Sequence, residues 1–282
     1  MGRVIVVTDS TAYIPSPLVL KHGIRVVPLS LVWGNEVFRD GVDMMPAEFY
    51  ARLKTAKVMP STSQPSPDEF KKVFGPIVEA GNAVLAVLLS SQLSGTVDSA
   101  VQAKQSFPDA KIEIVDTLTT AMALGFTTLA AARAVQGGAD LAEAAQVARQ
   151  AVADSGVIFV VDTLEFMRRG GRIGGAAAFL GAALNMKPLL TLHEGKVEVL
   201  DKVRTKGKAV DRMLDIIEQQ IGSRRPLRIG TLQAAAEEEA KALLDRAKNR
   251  FRPEETVFSE VSPVIGTHVG PGTVGLAYCA GV

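Results

Sequence analysis

The sequence predicts an α/β protein of two packed units, on three observations. Short aliphatic runs recur along the chain and end in polar or glycine-bearing turns. Stretches of helical periodicity alternate with them, and the alternation restarts after Ala153. Runs apolar on both faces are what a sheet covered by helices on each side requires. The length agrees, since 282 residues exceed the roughly 100–200 of a single average domain.

Val4–Val7 is the first strand, running into Thr8, Asp9 and Ser10. With one basic residue ahead of so short a run, the opening does not read as a signal peptide. Gly2 does not complete a myristoylation pattern, because Val6 stands where Ser or Thr is needed. Further strands are expected at Val26–Val32, Val84–Leu89 and Ile112–Val115, with helices over Pro46–Lys54, Pro67–Ala80, Ser94–Ser106, Ala121–Gln136 and Leu141–Ala153. The second unit opens with Val157–Val161, a helical LEFMRR segment and a Gly/Ala-rich helix near Ala176–Asn185. A hairpin in LLTLHEGKVEVL, turning at Glu194-Gly195, comes next. Helices near Lys206–Ile221 and Ala236–Asn249 then flank a strand at Leu227–Leu232, and a last strand pair closes the chain. The boundary is expected near residue 155, giving units 1–155 and 156–282. With no Pro/Ser-rich linker between them, tight packing around a cleft follows.

Composition excludes several classes. With 47% hydrophobic, 22% charged and 5% aromatic residues, the chain is globular with an aliphatic core, neither disordered nor fibrous. The formal charge of +1 shows no nucleic-acid footprint. The single Cys279 cannot form an internal disulfide, which suits a reducing compartment. The uncharged stretches 117–132 and 173–186 fall short of the ~18 apolar residues of a spanning helix, so a cytoplasmic protein is expected.

In open α/β sheets ligands bind beyond the carboxyl ends of strands, and here those positions collect hydroxyls. Thr8-Asp9-Ser10 follows the first strand. Pro60-Ser61-Thr62-Ser63-Gln64-Pro65 reads as a rigid hydroxyl-rich turn, and Ser90-Ser91-Gln92-Leu93-Ser94-Gly95-Thr96 leads from a strand into a helix. Such donors suit a carboxylate or phosphate, above all where Ser94 meets a helix N-terminus. Ser94 and Thr96 could equally serve as helix caps, and Thr62 could simply steady its turn. Arg168 and Arg169 fit a solvated helix C-terminus, whereas Arg172, beyond Gly170 and Gly171 and just before a neutral stretch, is a candidate ligand. Lys202-Val203-Arg204-Thr205-Lys206 forms a second basic cluster with the character of a surface feature.

The C-terminal Gly270-Pro271-Gly272-Thr273-Val274-Gly275 matches the G-x-G-x-x-G spacing of a dinucleotide loop. That motif works only between a strand and a helix, answered by an acidic residue about 20 positions later. Seven residues follow Gly275, and Pro271 removes an N–H that would face a phosphate. The segment is therefore expected to be a glycine-rich turn that holds His268.

Together, TDS near the start, STSQPSP, SSQLSGT, LEFMRRGGRI, VRTKGKA and GTHVGPGTVG resemble the DegV family, bacterial fatty-acid-binding proteins that serve as lipid-carrying subunits of fatty acid kinase. The resemblance spans nearly the whole chain in order. It implies a long-chain fatty acid between two α/β domains, with the carboxylate in a polar pocket and the tail in a tunnel through the second. It implies Thr62, Ser94 and His268 at the head group, with Arg172 and Arg204 nearby for the phosphorylated state or the partner. It further implies no cofactor or metal, an ATP-binding kinase subunit as partner, no nucleic acid, and room for transient membrane contact. Independently of the family, the small residues Gly174–Ala178 and Gly181–Ala183, punctuated by Phe179 and Leu180, would leave space for an acyl chain, or equally allow close helix-on-sheet packing.

Two other classes stand beside this reading. A serine hydrolase acting on lipid esters would use Ser94 as nucleophile, His268 as base and Asp9 or Asp116 as orienter, although Gln92-Leu93-Ser94-Gly95 lacks the glycine of a nucleophile elbow. A free-standing kinase is weaker, because the sequence has no G-x-x-x-x-G-K-[ST] loop.

Overall fold

A computed structural model describes residues 2–179 and 186–282. Its strands are β1 (Val4–Asp9), β2 (Arg25–Val27), β3 (Ser30–Trp33), β4 (Glu36–Arg39), β5 (Ser61–Ser63), β6 (Ala83–Leu88), β7 (Ile112–Asp116), β8 (Ser155–Val160), β9 (Lys187–His193), β10 (Lys196–Val203), β11 (Leu227–Ala234), β12 (Glu255–Val257) and β13 (Thr273–Ala280). Its helices are α1 (Ser16–His22), α2 (Pro46–Leu53), α3 (Pro67–Glu79), α4 (Thr96–Lys104), α5 (Ala121–Gln136), α6 (Leu141–Ala153), α7 (Glu165–Arg169), α8 (Lys206–Ile221), α9 (Glu237–Phe251) and α10 (Pro263–Val269).

Strands β2-β1-β6-β7 form a parallel sheet, and β10-β9-β8-β13-β11-β12 form a second sheet that is antiparallel except for the parallel β11–β12 pair. Alternation along the strands sorts their side chains into layers. Val7, Val84, Ala86 and Leu88 point to Phe70 and Phe74 of α3 and to Ala100 and Ala103 of α4. From the opposite face Val6, Leu85 and Val87 meet Phe126 and Leu129 of α5 and Ala144 and Ala148 of α6. The same pair of helices receives Val157, Phe159, Leu232 and Ala277 from the second sheet. The outer face of that sheet, with Ile158, Val160, Ile229 and Leu276, packs on Met213 and Ile217 of α8 and on Leu243 and Leu244 of α9. Five layers result, helices alternating with sheets. The middle helix α5 is buried on every side from Ala121 to Ala132, as its unbroken apolar composition demands.

Outside the surroundings of His268, the structure differs from the sequence reading at four places. The expected strand Val26–Val32 is two strands in two sheets, because Pro28 has no N–H for a ladder; β2 stays in the parallel sheet while β3 joins the three-stranded antiparallel sheet β4-β3-β5. The hydroxyl-rich turn at residues 60–65 contains β5, whose Thr62 lies opposite Leu31. The last two strands do not pair with each other but flank β11 from either side. Of the expected Ala176–Asn185 helix, residues 174–179 form a 3₁₀ turn packed on β10, and residues 180–185 lie outside the described residues.

Candidate functional site

His268 sits not in a turn but in the last turn of α10, which begins with Pro263 behind the capping hydroxyl of Ser262. Gly270 (φ +74°) ends that helix and Gly272 (φ +80°) opens β13. A β-carbon would drive Gly270 into the Phe166 ring, Gly272 into the Asp162 carboxylate and Gly275 into the β8 backbone. These glycines therefore allow close packing at the join of a helix and a strand. Because they precede a strand rather than open a helix, they cradle no pyrophosphate.

The imidazole Nε2 of His268 shares a 2.8 Å hydrogen bond with Thr62 Oγ1 of β5. Its Nδ1 is buried without a partner, against Gly170, where a β-carbon would overlap the ring. Burial, with a smaller contribution from the Arg172 charge, holds the imidazole pKa down to about 4, so the ring is neutral at physiological pH. Arg172 follows Gly171 (φ +70°). Its Nε donates to the Leu93 carbonyl at 3.1 Å and a terminal nitrogen donates to the Gly170 carbonyl at 2.8 Å. The guanidinium thus ties the end of α7 to the loop that carries Ser94. Ser94 lies two residues before α4, whose cap position is Gly95, and its Oγ is 2.9 Å from Thr96 Oγ1.

Thr62, Ser94, Arg172 and His268 converge on one cavity of ≈ 90 Å³, where a single water needs roughly 10–15 Å³. Its polar rim also includes Gln64. The remaining wall is aliphatic and aromatic: Leu29, Leu89 and Leu93 from the first sheet's side, and Val157, Phe159, Leu192, Val197 and Leu232 from the second's. The apolar sleeve is thus made by inward-facing strand residues, not by the small residues on which the sequence reading relied, since the described Gly174–Phe179 stretch lines no part of it. The alternation of Val157 with Phe159 and the cross-strand pair Leu192 and Val197 were the available signals. Thr62, Arg172 and His268 also line a second, outer pocket of ≈ 320 Å³ with Met59, Ser61, Phe166 and Arg169. The three side chains form a polar partition between the inner apolar space and this outer one.

Other candidates fall elsewhere. Arg204 is exposed in the bend between β10 and α8 and lines neither cavity. Lys206 is bound to the Gly272 carbonyl and to Glu239, and Arg168 and Arg169 both pair with Glu165 on the surface. Among the described residues the hydrolase arrangement is not formed. Ser94 and His268 bond to other partners, and no carboxylate reaches Nδ1. Asp9 is spent on the Thr11 N–H and hydroxyl and the Leu89 N–H, and Asp116 on Ser91 and Leu118. Among the described residues no cluster of His, Cys, Asp and Glu could hold a metal ion, and no helix is long and apolar enough to cross a membrane.

A layered α/β protein that encloses an apolar channel and closes it with hydroxyls, an imidazole and a guanidinium has the shape and polarity to hold a small amphiphile. The profile described as an uncharacterised protein of the DegV family matches residues 3–281, and the chain belongs to that family. A DegV domain-containing protein of Clostridium perfringens is 39% identical over 277 residues, 97% of each chain. A solved DegV family protein from Thermus thermophilus, described by its fatty acid binding, superposes with a TM-score of 0.93 at 36% identity over 99% of each chain. DegV of Bacillus subtilis, described as a fatty acid binding protein, does so with 0.91 at 30% identity, over 99% of this chain and 100% of its own. Fatty-acid binding is thus a property of DegV-family proteins with this fold.

Proposed function

We propose that this protein binds a long-chain fatty acid between its units 1–155 and 156–282, carboxylate at Thr62, Ser94 and His268 and tail in the apolar sleeve, and presents it to an ATP-binding kinase for conversion to acyl phosphate. The observation that carries the proposal is the partition. Thr62, Arg172 and His268 belong to both the inner cavity and the outer pocket, so a head group held there has its tail inside and its oxygens toward the outside. A neutral His268 with its proton on Nε2 donates to Thr62 Oγ1, which leaves the threonine proton for the carboxylate. Hydroxyl donors and the nearby Arg172 then satisfy the negative charge without stranding it. Each methylene buried in the sleeve contributes about 0.8 kcal/mol before ordering costs, so the tail supplies affinity and the head supplies orientation.

The protein acts here as a carrier and not as an enzyme, in the cytoplasm, feeding acyl phosphate to phospholipid metabolism. Arg172 answers the charge that grows as the carboxylate is phosphorylated, and Arg204, outside both cavities, is assigned to the kinase-facing surface. Support for a separate kinase comes from the sequence, which has no phosphate loop to hold ATP and Mg²⁺. Two measurements test the proposal. Mass spectrometry of lipid extracted from the purified protein should find a fatty acid at one per chain. Reconstitution with labelled ATP, fatty acid and candidate kinase, each omitted in turn, should yield acyl phosphate only when all are present. Acyl phosphate formed equally well without this protein would overturn the carrier role.

A further inference from the structure

The rim of the inner cavity carries two sets of polar groups. Thr62, Arg172 and His268 line the outer pocket as well, whereas Ser63, Gln64 and Ser94 line the inner cavity alone. A carboxylate has two oxygens, and each set can hold one. Of the inward set, the Ser94 hydroxyl already shares a hydrogen bond with Thr96, so a second donor is wanted beside it. Gln64 is placed to supply that donor.

Local features fix its side chain. Pro65 follows it, which confines the Gln64 backbone to extended conformations, and the Gln64 carbonyl accepts from Ser63 Oγ at 3.3 Å. The amide then lies against Gly95, the residue after Ser94: a β-carbon at Gly95 would stand 2.6 Å from Gln64 Nε2, 3.0 Å from Cδ and 3.2 Å from Oε1. Gly95 has φ −73°, which any residue adopts, so it is the close approach of this amide, not backbone conformation, that calls for glycine there. Gln64 is exposed, and among the described residues its amide hydrogen-bonds to no protein group, which leaves both N–H donors for a ligand. A primary amide is neutral, so it adds a donor for a carboxylate without a charge that the empty cavity would strand.

Resting on the fatty-acid reading above, we infer that Gln64 is a further head-group residue that donates to the inward-facing carboxylate oxygen, and that its amide, seated on Gly95, makes the site select a free acid over an uncharged head group. The test is direct fluorescence titration with cis-parinaric acid and with the corresponding alcohol, which share a tail and differ only in the head. Wild type, Gln64→Leu, Gln64→Glu and Gly95→Ala are compared, with circular dichroism as the check on folding. Wild type should bind the acid more tightly than the alcohol. Gln64→Leu should weaken the acid by about tenfold and the alcohol by far less. Gln64→Glu, nearly the same in shape, sets a negative charge against the carboxylate and should weaken the acid by roughly a further tenfold. Gly95→Ala should reproduce the Gln64→Leu loss, and combining those two should add nothing, as expected of groups that act as a unit. Acid and alcohol weakened equally, or an acid affinity that survives both Gln64→Leu and Gln64→Glu, overturns the inference alone. If the acid does not bind wild type at all, the fatty-acid reading falls and takes this inference with it.

Discussion

Thr62 has one proton to give, and its bond to His268 decides where that proton goes. Removing the hydroxyl strips the head-group site of a donor and leaves Nε2 without a partner. Thr62→Ala is therefore expected to weaken fatty-acid binding by about tenfold, and Ser94→Ala by a similar factor, with unchanged folding; probe displacement and circular dichroism check both. A second residue-scale prediction concerns pH. His268 is kept neutral down to about 4 against an ordinary 6.5, so the unfolded chain takes up this proton first. The stability it supports is complete above pH 6.5 and is lost as pH falls from there toward 4. Asp40, beneath α10, accepts from Ser10 Oγ at 2.6 Å and from the Val264 N–H at 3.1 Å. Burial raises its pKa from 3.8 to about 6. The native state holds that proton longer, so stability is lost as pH rises from about 4 to 6. The two groups oppose each other in that window. Asp40→Asn should therefore steepen the acid loss between pH 6 and 4, by up to about 1.4 kcal/mol per pH unit, as urea unfolding at a series of pH values would show. Motif chemistry exposed Thr62, Ser94, Arg172 and His268 in the sequence. Asp40 was not legible, because what sets it apart is burial by segments distant along the chain.

The hairpin of β9 and β10 shows what is readable at the scale of an element. Its turn was predicted at Glu194-Gly195, and both residues have positive φ (+47° and +82°), the two-residue geometry that suits the twist of paired strands. The sequence did not reveal that the tip docks on the first unit. Ser90 Oγ donates to the Gly195 carbonyl at 2.9 Å, and a β-carbon at Gly195 would strike that hydroxyl. Gly195→Ala should thus cost about 1–2 kcal/mol through backbone strain and the lost dock, read as a lower midpoint in urea. Asn at position 194, where a left-handed residue is required, should gain a few tenths of a kcal/mol. Element type was legible wherever apolar periodicity ran long, as in α5 and α8. It failed for β5 and α10, each under eight residues, where tertiary partners outweigh local propensity.

At the scale of the molecule, the decisive feature is the shared middle layer. Because α5 and α6 cover one face of each sheet, neither sheet keeps its core if the other is removed. The protein should accordingly unfold in one transition, with calorimetric and van't Hoff enthalpies equal. Phe126→Ala, at 1% exposure in α5, should destabilise both halves together by about 3–5 kcal/mol; two separated transitions would contradict the shared layer. The α/β class and the restart after Ala153 were legible from periodicity. The five-layer stacking was not, since a helix buried on all sides carries no sequence mark of how many sheets bury it. The cavity opens within this same layer, so Ala121, Val157, Phe159 and Leu232 are at once core residues and cavity wall. An occupant of that space completes the hydrophobic interior, and by mass action a filled chain resists unfolding more than an empty one. Proteolytic turnover would then fall preferentially on empty copies, making the abundance of the protein a running record of ligand supply.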